Sequence, residues 1–358
     1  MDLRKVLERQ QRVIVKQQLG AIGSDARDLP AGERLLRRGQ DHRLDARDNS
    51  FRIVNGRQRE PDVARAVRFL LQTQRNNGVW DDSHYNFGGD DSLPNVWMAV
   101  TALAALALRD VDDPAAKGAV ERAEKYMRDE SRIAADDTDE IAWAHAYRLL
   151  YFAKDADMRA RLVKKLADLQ LKHGGWAHEY DNPFVTATVL HALIEAREAG
   201  GDVPKAVIDR GSMALWMSRD RRGLFGYDFS RPGTSFEGGA GRMPFCEYVL
   251  HRAGRSSADA LKKALEVSFK HHGLLERVRK YDDHADRHGN GGFFFWYDQL
   301  GRAWAAKAAN DGKAAALQRE IVRSTQEIDG CWVDSHELGR VYGTAMALLT
   351  WNVTRPLR

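Results

Sequence analysis

Acidic residues concentrate where polar turns of this chain meet apolar segments. The densest group is Asp136-Asp137-Thr138-Asp139-Glu140, which directly precedes the apolar segment Ile141-Ala-Trp-Ala. Crowded carboxyls disfavour simultaneous ionisation, so one of them can keep its proton and act as a general acid. The alternative for each carboxylate is helix capping, because Asp and Asn are preferred at helix N-termini and a negative charge is favourable there.

A motif of fixed spacing, Q-x3-G-x-W, occurs three times. The copies run from Gln74 to Trp80, from Gln170 to Trp176 and from Gln326 to Trp332. The tryptophans lie 96 and 156 residues apart. These distances correspond to two steps of about 48 and three of about 52 residues, so degenerate copies must lie between them. One degenerate copy is visible from Met217 to Phe225.

Two kinds of helical segment alternate around these motifs. Amphipathic segments with a single apolar stripe predict outer helices at about 61–74, 114–128, 157–171, 204–218, 257–272 and 313–326. Segments that are apolar nearly all round predict inner helices beginning at Ser92, Asp139, Asn182, Gly241, Gly291 and Gly339. Because such hairpins cannot bury their apolar faces alone, we expect them to stack into a closed ring. The predicted fold is all-α, an α6/α6 toroid with inner and outer rings of helices.

These residues resemble the prenyltransferase and squalene-oxidase repeat superfamily over roughly 61–353. The resemblance rests on the three motif copies, on Asn182-Pro-Phe-Val-Thr-Ala-Thr-Val-Leu and on Gly339-Arg-Val-Tyr-Gly-Thr-Ala-Met-Ala-Leu. The superfamily includes squalene–hopene cyclases, the terpene-cyclase β domain and protein prenyltransferase β subunits, all built as α6/α6 toroids. The resemblance implies that the motif Gln and Trp join each outer helix to the next inner helix.

The segment Asp137-Thr138-Asp139-Glu140-Ile141-Ala is similar to the D-x-D-D-T-A segment of class II terpene cyclases. The resemblance implies that Asp139 protonates an alkene or epoxide, with Asp137 and Glu140 tuning and orienting it. Glu140 and Ile141 depart from the family's Asp and Thr. A carbocation cascade also needs a water-free pocket with aromatic faces, although aromatic residues can equally fill a toroid core. The predicted substrate contacts are Trp97, Trp143, Phe184, Phe294, Trp296, Tyr297 and Tyr342.

Two other groups of residues offer metal alternatives. Asp282-Asp283-His284-Ala285-Asp286 matches a D-D-x-x-D spacing and residues 136–140 match D-D-x-x-E, so Mg²⁺ together with a diphosphate substrate is an alternative. Asp329 and Cys331 resemble two zinc ligands of protein prenyltransferases, with His336 nearby. The family's His comes from a later, separate segment, so no zinc site is predicted.

Composition and charge bound the remaining possibilities. The chain has 358 residues, 43% of them hydrophobic, and a net charge of +4. Residues 1–60 carry 14 Lys and Arg against 9 Asp and Glu, so the body at 61–358 is nearly neutral and nucleic-acid binding is not predicted. The expected organisation is a basic N-terminal extension at 1–60 and a toroid domain at 61–358. Residues 2–19 predict a basic amphipathic helix that packs on the domain, contacts a protein partner or lies on an anionic membrane.

The sequence therefore leads to two functional hypotheses. The first is a terpene cyclase-like enzyme that cyclises a prenyl diphosphate or polyene, a hydrophobic isoprenoid-type molecule. The second is a catalytically silent toroid that binds an isoprenoid, a lipid or a protein partner. No run of about 20 apolar residues is present, so the expected location is cytoplasmic, with peripheral membrane contact as an alternative.

Overall fold

Each repeat folds into an outer helix, a turn and an inner helix. The computed structural model describes residues 60–84, 93–136, 140–178, 180–229, 235–279, 295–335 and 337–355. The outer helices are α1 (Val63–Thr73), α3 (Pro114–Arg128), α5 (Ala156–Asp168), α7 (Lys205–Met217), α10 (Ala258–Lys270) and α13 (Gly312–Ser324). The inner helices are α2 (Leu93–Leu108), α4 (Ile141–Tyr151), α6 (Pro183–Glu198), α9 (Met243–Arg252), α12 (Phe295–Ala308) and α14 (Gly339–Thr354). The shorter elements are a 3₁₀ turn (Glu130–Arg132), α8 (Phe236–Gly239), α11 (His272–Val278) and the antiparallel strands β1 (Ala177–His178) and β2 (Tyr180–Asp181).

Most outer helices begin at an Asp or Ser whose side chain caps the first turn. The Asp62 side chain accepts a hydrogen bond from the Arg65 backbone N–H at 2.8 Å, and Asp155 accepts one from Met158 at 2.9 Å. Such a cap satisfies a backbone donor that the helix itself leaves unpaired and is worth about 1 kcal/mol. The amphipathic pattern then decides which face packs inward, and only 4 of the 13 residues of α5 are buried.

The inner helices are buried on nearly every side. In α6, 13 of 16 residues are buried. Each inner helix contacts the next, and α14 contacts α2, so the inner ring closes on itself. This closure explains the loss of amphipathic periodicity, because an inner helix touches two inner neighbours as well as its outer helices.

The repeat motif joins the outer helices of neighbouring repeats. The Gln74 Nε2 donates to the Gly78 carbonyl at 3.0 Å and to the Ala119 carbonyl of α3 at 2.8 Å. The Trp80 indole N–H donates back to the Leu70 carbonyl of α1 at 2.8 Å. The same bonds recur from Gln170 to Val207, from Gln326 to Asp62, from Trp176 to Leu166 and from Trp332 to Val322.

The predicted role of the motif Gln is therefore wrong, because its amide reaches the next outer helix and not an inner one. The contact with the inner helix comes from the backbone of the motif Trp. Its N–H donates to a threonine hydroxyl on the inner helix, at 2.9 to 3.1 Å. These threonines are Thr101, Thr186 and Thr344.

The predicted α6/α6 toroid is confirmed, with helix ends that differ by a few residues. The second inner helix begins at Ile141 and not at Asp139, and the predicted outer helix at 257–272 ends at Lys270, where the separate helix α11 follows. The predicted N-terminal extension lies outside the described residues up to position 59. Among the described helices, none is long and apolar enough to cross a lipid bilayer.

Candidate active site

Glu140 stands at the N-terminus of α4 and does not cap that helix. Its backbone occupies the N-cap position, but its side chain accepts no hydrogen bond from the backbone N–H groups of the first turn. The Oε1 atom instead lies 3.0 Å from Nδ1 of His178, and both side chains are almost completely buried. The carboxylate thus has an imidazole partner in place of the helix backbone.

His178 owes its position to the repeat motif. Trp176 is fixed by bonds to α5 and α6, and His178 follows two residues later in the short strand β1. The corresponding residues after Trp80 and Trp332 are Asp82 and Asp334. All three side chains reach the N-terminal region of the preceding inner helix, so His178 occupies a place where two other repeats carry a capping aspartate.

The Glu140 and His178 side chains line a cavity inside the ring of inner helices. Its other walls are apolar or aromatic, and its open volume is about 50 Å³. These walls are formed by Val96, Ala99, Val100, Leu103, Trp143, Tyr147, Leu338 and Tyr342. Within the described lining, Glu140 supplies the single carboxyl group and His178 the single imidazole.

Aromatic rings continue from the cavity toward the centre of the toroid. Trp143 stacks on Tyr147 with ring centroids 5.8 Å apart, and the Tyr297 ring meets Trp143 edge-on at 5.9 Å. Phe184 lies 5.9 Å from Trp143 and 5.2 Å from Tyr227. Such clusters place the negative faces of several rings around one space, where they can stabilise a positive charge.

The phenols of this cluster remain neutral. Burial raises the pKa of Tyr147, Tyr297 and Tyr342 above the usual tyrosine range. The Tyr297 hydroxyl donates to the Phe184 carbonyl at 2.9 Å. These groups can therefore pack against a ligand or donate a hydrogen bond, but they cannot act as phenolate bases near neutral pH.

The predicted site residues are placed in different ways. Glu140, Trp143 and Tyr342 line the cavity, and Phe184 and Tyr297 belong to the adjoining aromatic cluster. Asp137, Asp139 and Phe294 lie outside the described residues.

Trp97 and Trp296 point elsewhere in the fold. The Trp97 indole donates to the Ser83 carbonyl at 3.0 Å, and the Trp296 indole donates to the Val333 carbonyl at 3.2 Å. Neither ring lines the cavity beside Glu140. One step along a helix rotates a side chain by about 100°, so Trp296 faces the outer turn while its neighbour Tyr297 faces the centre.

The predicted site residues do not include three members of this region. Tyr147 lies four residues after Trp143, on the same helix face, so helical periodicity could have identified it. His178 could have been found by aligning the residues that follow each motif Trp. Arg242 carries no such signal, yet its buried guanidinium donates to the Gly226 carbonyl at 3.1 Å and lies 5.5 Å from the Phe184 ring.

Three further aspartates lie at the starts of inner helices. Asp334 accepts a hydrogen bond from the Trp296 backbone N–H at 2.7 Å, and Asp82 accepts bonds from Arg340 at 2.8 Å and Val341 at 3.0 Å. Asp298 lies on α12, and burial raises the pKa of its carboxyl to about 7 against the opposing effect of Arg242 and Arg302. Asp334 and Asp82 thus accept hydrogen bonds from backbone N–H groups at the starts of α12 and α14.

The described residues do not fit the metal alternatives. Over the described ranges there is no group of three His, Cys, Asp or Glu side chains that could hold a metal ion. Asp329 forms an ion pair with Arg340, whose guanidinium also donates to the Cys331 sulfur at 3.1 Å. Asp136 is exposed whereas Glu140 is buried against His178, so the two described ends of the D-D-x-x-E match diverge. The D-D-x-x-D match and His336 lie outside the described residues.

The fold is shared with solved structures of distant sequence. A protein from Actinoplanes matches with a TM-score of 0.52 and 14% identity, over 82% of this chain and 98% of that chain. The α-1,6-mannanase of Salegentibacter sp. HEL1_6 matches with a TM-score of 0.54 and 10% identity, over 82% and 98%. A variant of the type II terpene cyclase MstE from Scytonema, in complex with geranylgeranyl dihydroxybenzoate, matches with a TM-score of 0.50 and 15% identity, over 82% and 96%.

No family model and no curated protein matches the sequence. The structural likeness defines the class: the chain is an α6/α6 toroid of the kind found in a terpene cyclase and in a mannanase. Because a fold of this kind hosts unrelated chemistries, the function has to be argued from the site.

Proposed function

We propose that this protein is a terpene cyclase-like enzyme of the class II type, in which Asp139 protonates a prenyl diphosphate or another polyene. One observation carries the proposal. The acidic segment at 137–140 ends in a buried carboxylate that pairs with His178 at the edge of an otherwise apolar, aromatic-lined cavity. Acid chemistry on a hydrocarbon needs this combination of a withdrawn acid and non-nucleophilic walls.

The apolar lining favours a hydrocarbon over a sugar. Glycosidases use two carboxyl groups on either side of the scissile bond, and the hydroxyl groups of a buried sugar need polar partners. Glu140 is the single carboxylate in the described lining, and apolar and aromatic side chains supply most of the rest. This composition separates the proposed activity from that of the mannanase with the same fold.

In the proposed reaction, the Asp139 carboxyl transfers its proton to one carbon of a terminal alkene. A C–H bond forms, the π bond breaks, and a carbocation remains that neighbouring alkenes of the substrate attack in turn. Asp137 and Glu140 are sequence neighbours of the acid, and closely spaced carboxyls disfavour ionisation of all three together. Trp143, Tyr147 and Tyr342 offer ring faces to the cation. The last carbocation loses a proton to water, and the Asp139 carboxylate takes a proton back from water, which restores the acid.

A second candidate follows from the size of the cavity. Its open volume of about 50 Å³ is well below the roughly 300–1,000 Å³ of pockets that enclose drug-sized ligands. A prenyl chain therefore enters only if lining side chains move apart. The small volume counts against conversion of a long chain inside the ring, so the alternative is a catalytically silent toroid that binds an isoprenoid, a lipid or a protein partner. The experiment below separates the two.

The test is product analysis by gas chromatography and mass spectrometry. The purified full chain is incubated with farnesyl diphosphate, geranylgeranyl diphosphate, squalene and a geranylgeranylated dihydroxybenzoate, the last because the MstE structure holds such a compound. The variants are Asp139→Asn and Glu140→Gln, and the matched control is Asp136→Asn, whose side chain is exposed.

The proposal predicts a cyclised product in the wild type and in Asp136→Asn. Product formation should fall at least about 100-fold in Asp139→Asn, as expected when a general acid is removed. Equal product in Asp139→Asn would contradict the acid role. Unchanged substrates together with saturable substrate binding, measured by displacement of a fluorescent prenyl analogue, would establish the binding toroid instead.

A further inference from the structure

The fourth repeat lacks the hydrogen bonds that hold neighbouring outer helices together at the three intact copies of the motif. Its motif runs from Arg219 through Gly223 to Phe225, so Arg replaces Gln and Phe replaces Trp. The Arg219 guanidinium donates to the Glu247 carboxylate of the inner helix α9 at 2.7 Å. In the intact repeats the equivalent Gln amide donates to the next outer helix, so here that link between α7 and α10 is missing.

The glycine of the motif shows the same difference. A side chain at Gly78 or Gly174 would collide with the backbone of the next outer helix, which therefore packs directly against the turn. At Gly223 the nearest atom to such a side chain is the Met243 Cε of the inner helix α9, at 3.4 Å. The next outer helix stays away from the turn of the fourth repeat.

A groove opens between the two helices as a result. It has a volume of about 490 Å³, and it is bounded by the end of α7, the turn at 219–223 and the outer helix α10, with Met243 and Glu247 of α9 at its floor. We call it the α7–α10 groove. Its mouth lies on the outside of the ring, away from the cavity beside Glu140.

The outer helix that borders the groove carries an exposed apolar stripe. Met213, Trp216 and Met217 are 41%, 44% and 71% exposed, and their spacing places them on one face of α7. A sole exposed apolar side chain needs no explanation, whereas a contiguous group beside a groove marks an interaction surface.

The equivalent positions of the intact repeats are mostly polar. Counting back from the motif glycine, the position of Met213 is occupied elsewhere by Arg68, Lys164 and Glu320. The position of Met217 is occupied by Gln72, Asp168 and Ser324. Among the described residues, no other outer helix carries an exposed large apolar side chain.

The charge around the groove determines the kind of partner. Arg221 and Lys263 are exposed at its two sides, and within the described part of the chain neither forms an ion pair. The acidic groups of the groove are already engaged: Asp220 pairs with Arg222 and Glu247 pairs with Arg219. The free charge of this surface is therefore positive, which disfavours the basic segment 1–60 of this chain as its occupant.

We propose that the α7–α10 groove binds an acidic amphipathic segment of a partner protein. Its apolar side chains would lie on Met213, Trp216 and Met217, and its carboxylates would face Arg221 and Lys263. The groove volume suits a few side chains of a short helix, which is a common way for proteins to recognise amphipathic peptides. The proposal is independent of the chemistry inside the ring.

The test uses a fluorescein-labelled helical peptide of about 15 residues with a Leu stripe flanked by Glu, and a matched peptide with Lys in place of Glu. Binding to the full chain is measured by fluorescence anisotropy. The groove variants are Trp216→Gln with Met217→Gln, and Arg221→Glu with Lys263→Glu. The control is Arg68→Glu with Lys164→Glu, which makes the same net charge change on other outer helices.

The acidic peptide should bind and the Lys peptide should not. Each groove variant should raise Kd at least about tenfold, whereas the control should stay within about twofold. Because all substituted side chains are exposed, the thermal midpoint should stay unchanged and serve as a check on folding.

Four outcomes would overturn the proposal. These are failure of the acidic peptide to bind, equal binding of the Lys peptide, and equal loss of binding in the control variant. The fourth is a different occupant. A dimer seen by sedimentation velocity that Trp216→Gln with Met217→Gln dissociates would assign the groove to a second copy. Binding to phosphatidylserine vesicles that depends on the same residues would assign it to a lipid surface.

Discussion

One structural position carries a different side chain in the third repeat than in the first and last repeats. Two residues after the motif Trp, the first and last repeats carry Asp82 and Asp334, which accept hydrogen bonds from backbone N–H groups at the start of an inner helix. The third repeat carries His178 there, which pairs with Glu140. A carboxylate beside a helix N-terminus thus has a structural role in two repeats, whereas in the third it is withdrawn from the helix and faces the cavity.

The difference has a direct physical cause. An aspartate at this position satisfies the unpaired N–H groups of the neighbouring helix and is held in place by them. In the third repeat the Nδ1 atom of His178 lies 3.0 Å from the Glu140 carboxylate, and this acidic partner is the N-cap residue of the neighbouring inner helix. The exchange of Asp for His therefore creates a buried acid and imidazole pair from elements that elsewhere only end a helix.

The largest effect on stability is expected at Asp334. Asp334→Ala leaves the buried Trp296 N–H without its acceptor and should lower the free energy of unfolding by about 1–3 kcal/mol. Asp334→Asn retains an acceptor and should cost less than half as much. Urea unfolding followed by circular dichroism measures both, and a cost for Asp334→Ala no larger than that of the exposed Asp136→Ala would contradict the capping role.

Asp298 should make stability fall as pH rises. Burial raises the pKa of its carboxyl to about 7 in the folded protein, whereas an Asp side chain in the unfolded chain has a pKa of about 3.9. Between these two pKa values the folded state binds more protons than the unfolded state. The stability that protonated Asp298 contributes is therefore full below about pH 4 and is lost as the pH rises toward 7, by up to about 1.4 kcal/mol per pH unit. Unfolding of the wild type and of Asp298→Asn at several pH values checks this, and equal slopes would refute it.

Asp82→Ala should have a smaller cost, about 1 kcal/mol, as for other helix caps. Its Oδ2 accepts two backbone bonds at the start of α14, but its buried Oδ1 has no hydrogen-bond partner, so removal of the side chain also relieves an unfavourable burial. The measurement is again urea unfolding. A cost equal to that of Asp334→Ala would show that the unpaired oxygen is of no consequence.

Glu140→Gln should affect stability least, by under about 1 kcal/mol, because no backbone N–H depends on this side chain as a cap. Its Gln can still accept a hydrogen bond from His178. If Glu140 belongs to the acid site, product formation falls while the unfolding midpoint hardly changes. A stability loss as large as that of Asp334→Ala would remove the distinction between the two kinds of carboxylate.

Much of the fold could be predicted from the sequence, since amphipathic and wholly apolar segments alternate with a repeating motif. The hydrogen-bond partners of that motif could not be predicted, because spacing alone does not say whether Gln74 reaches an inner helix or Ala119 on the next outer helix. The acidic segment and Trp143 were also visible as candidates. The pairing of Glu140 with His178 could not be predicted, because the two residues lie 38 positions apart in the sequence and their contact depends on where β1 begins.

The sequence by itself determined the class of architecture, because hydrophobic periodicity dictates which helix faces must be buried and six hairpins can bury them only against one another. Tertiary structure decided which buried carboxylate is a cap and which faces the cavity, because that choice depends on the donor that the neighbouring turn brings within about 3 Å. Tertiary structure also decided that a groove lies between α7 and α10. In the fourth repeat Arg219 stands in place of the motif Gln and donates to Glu247 of the inner helix, so no Gln amide joins these two outer helices.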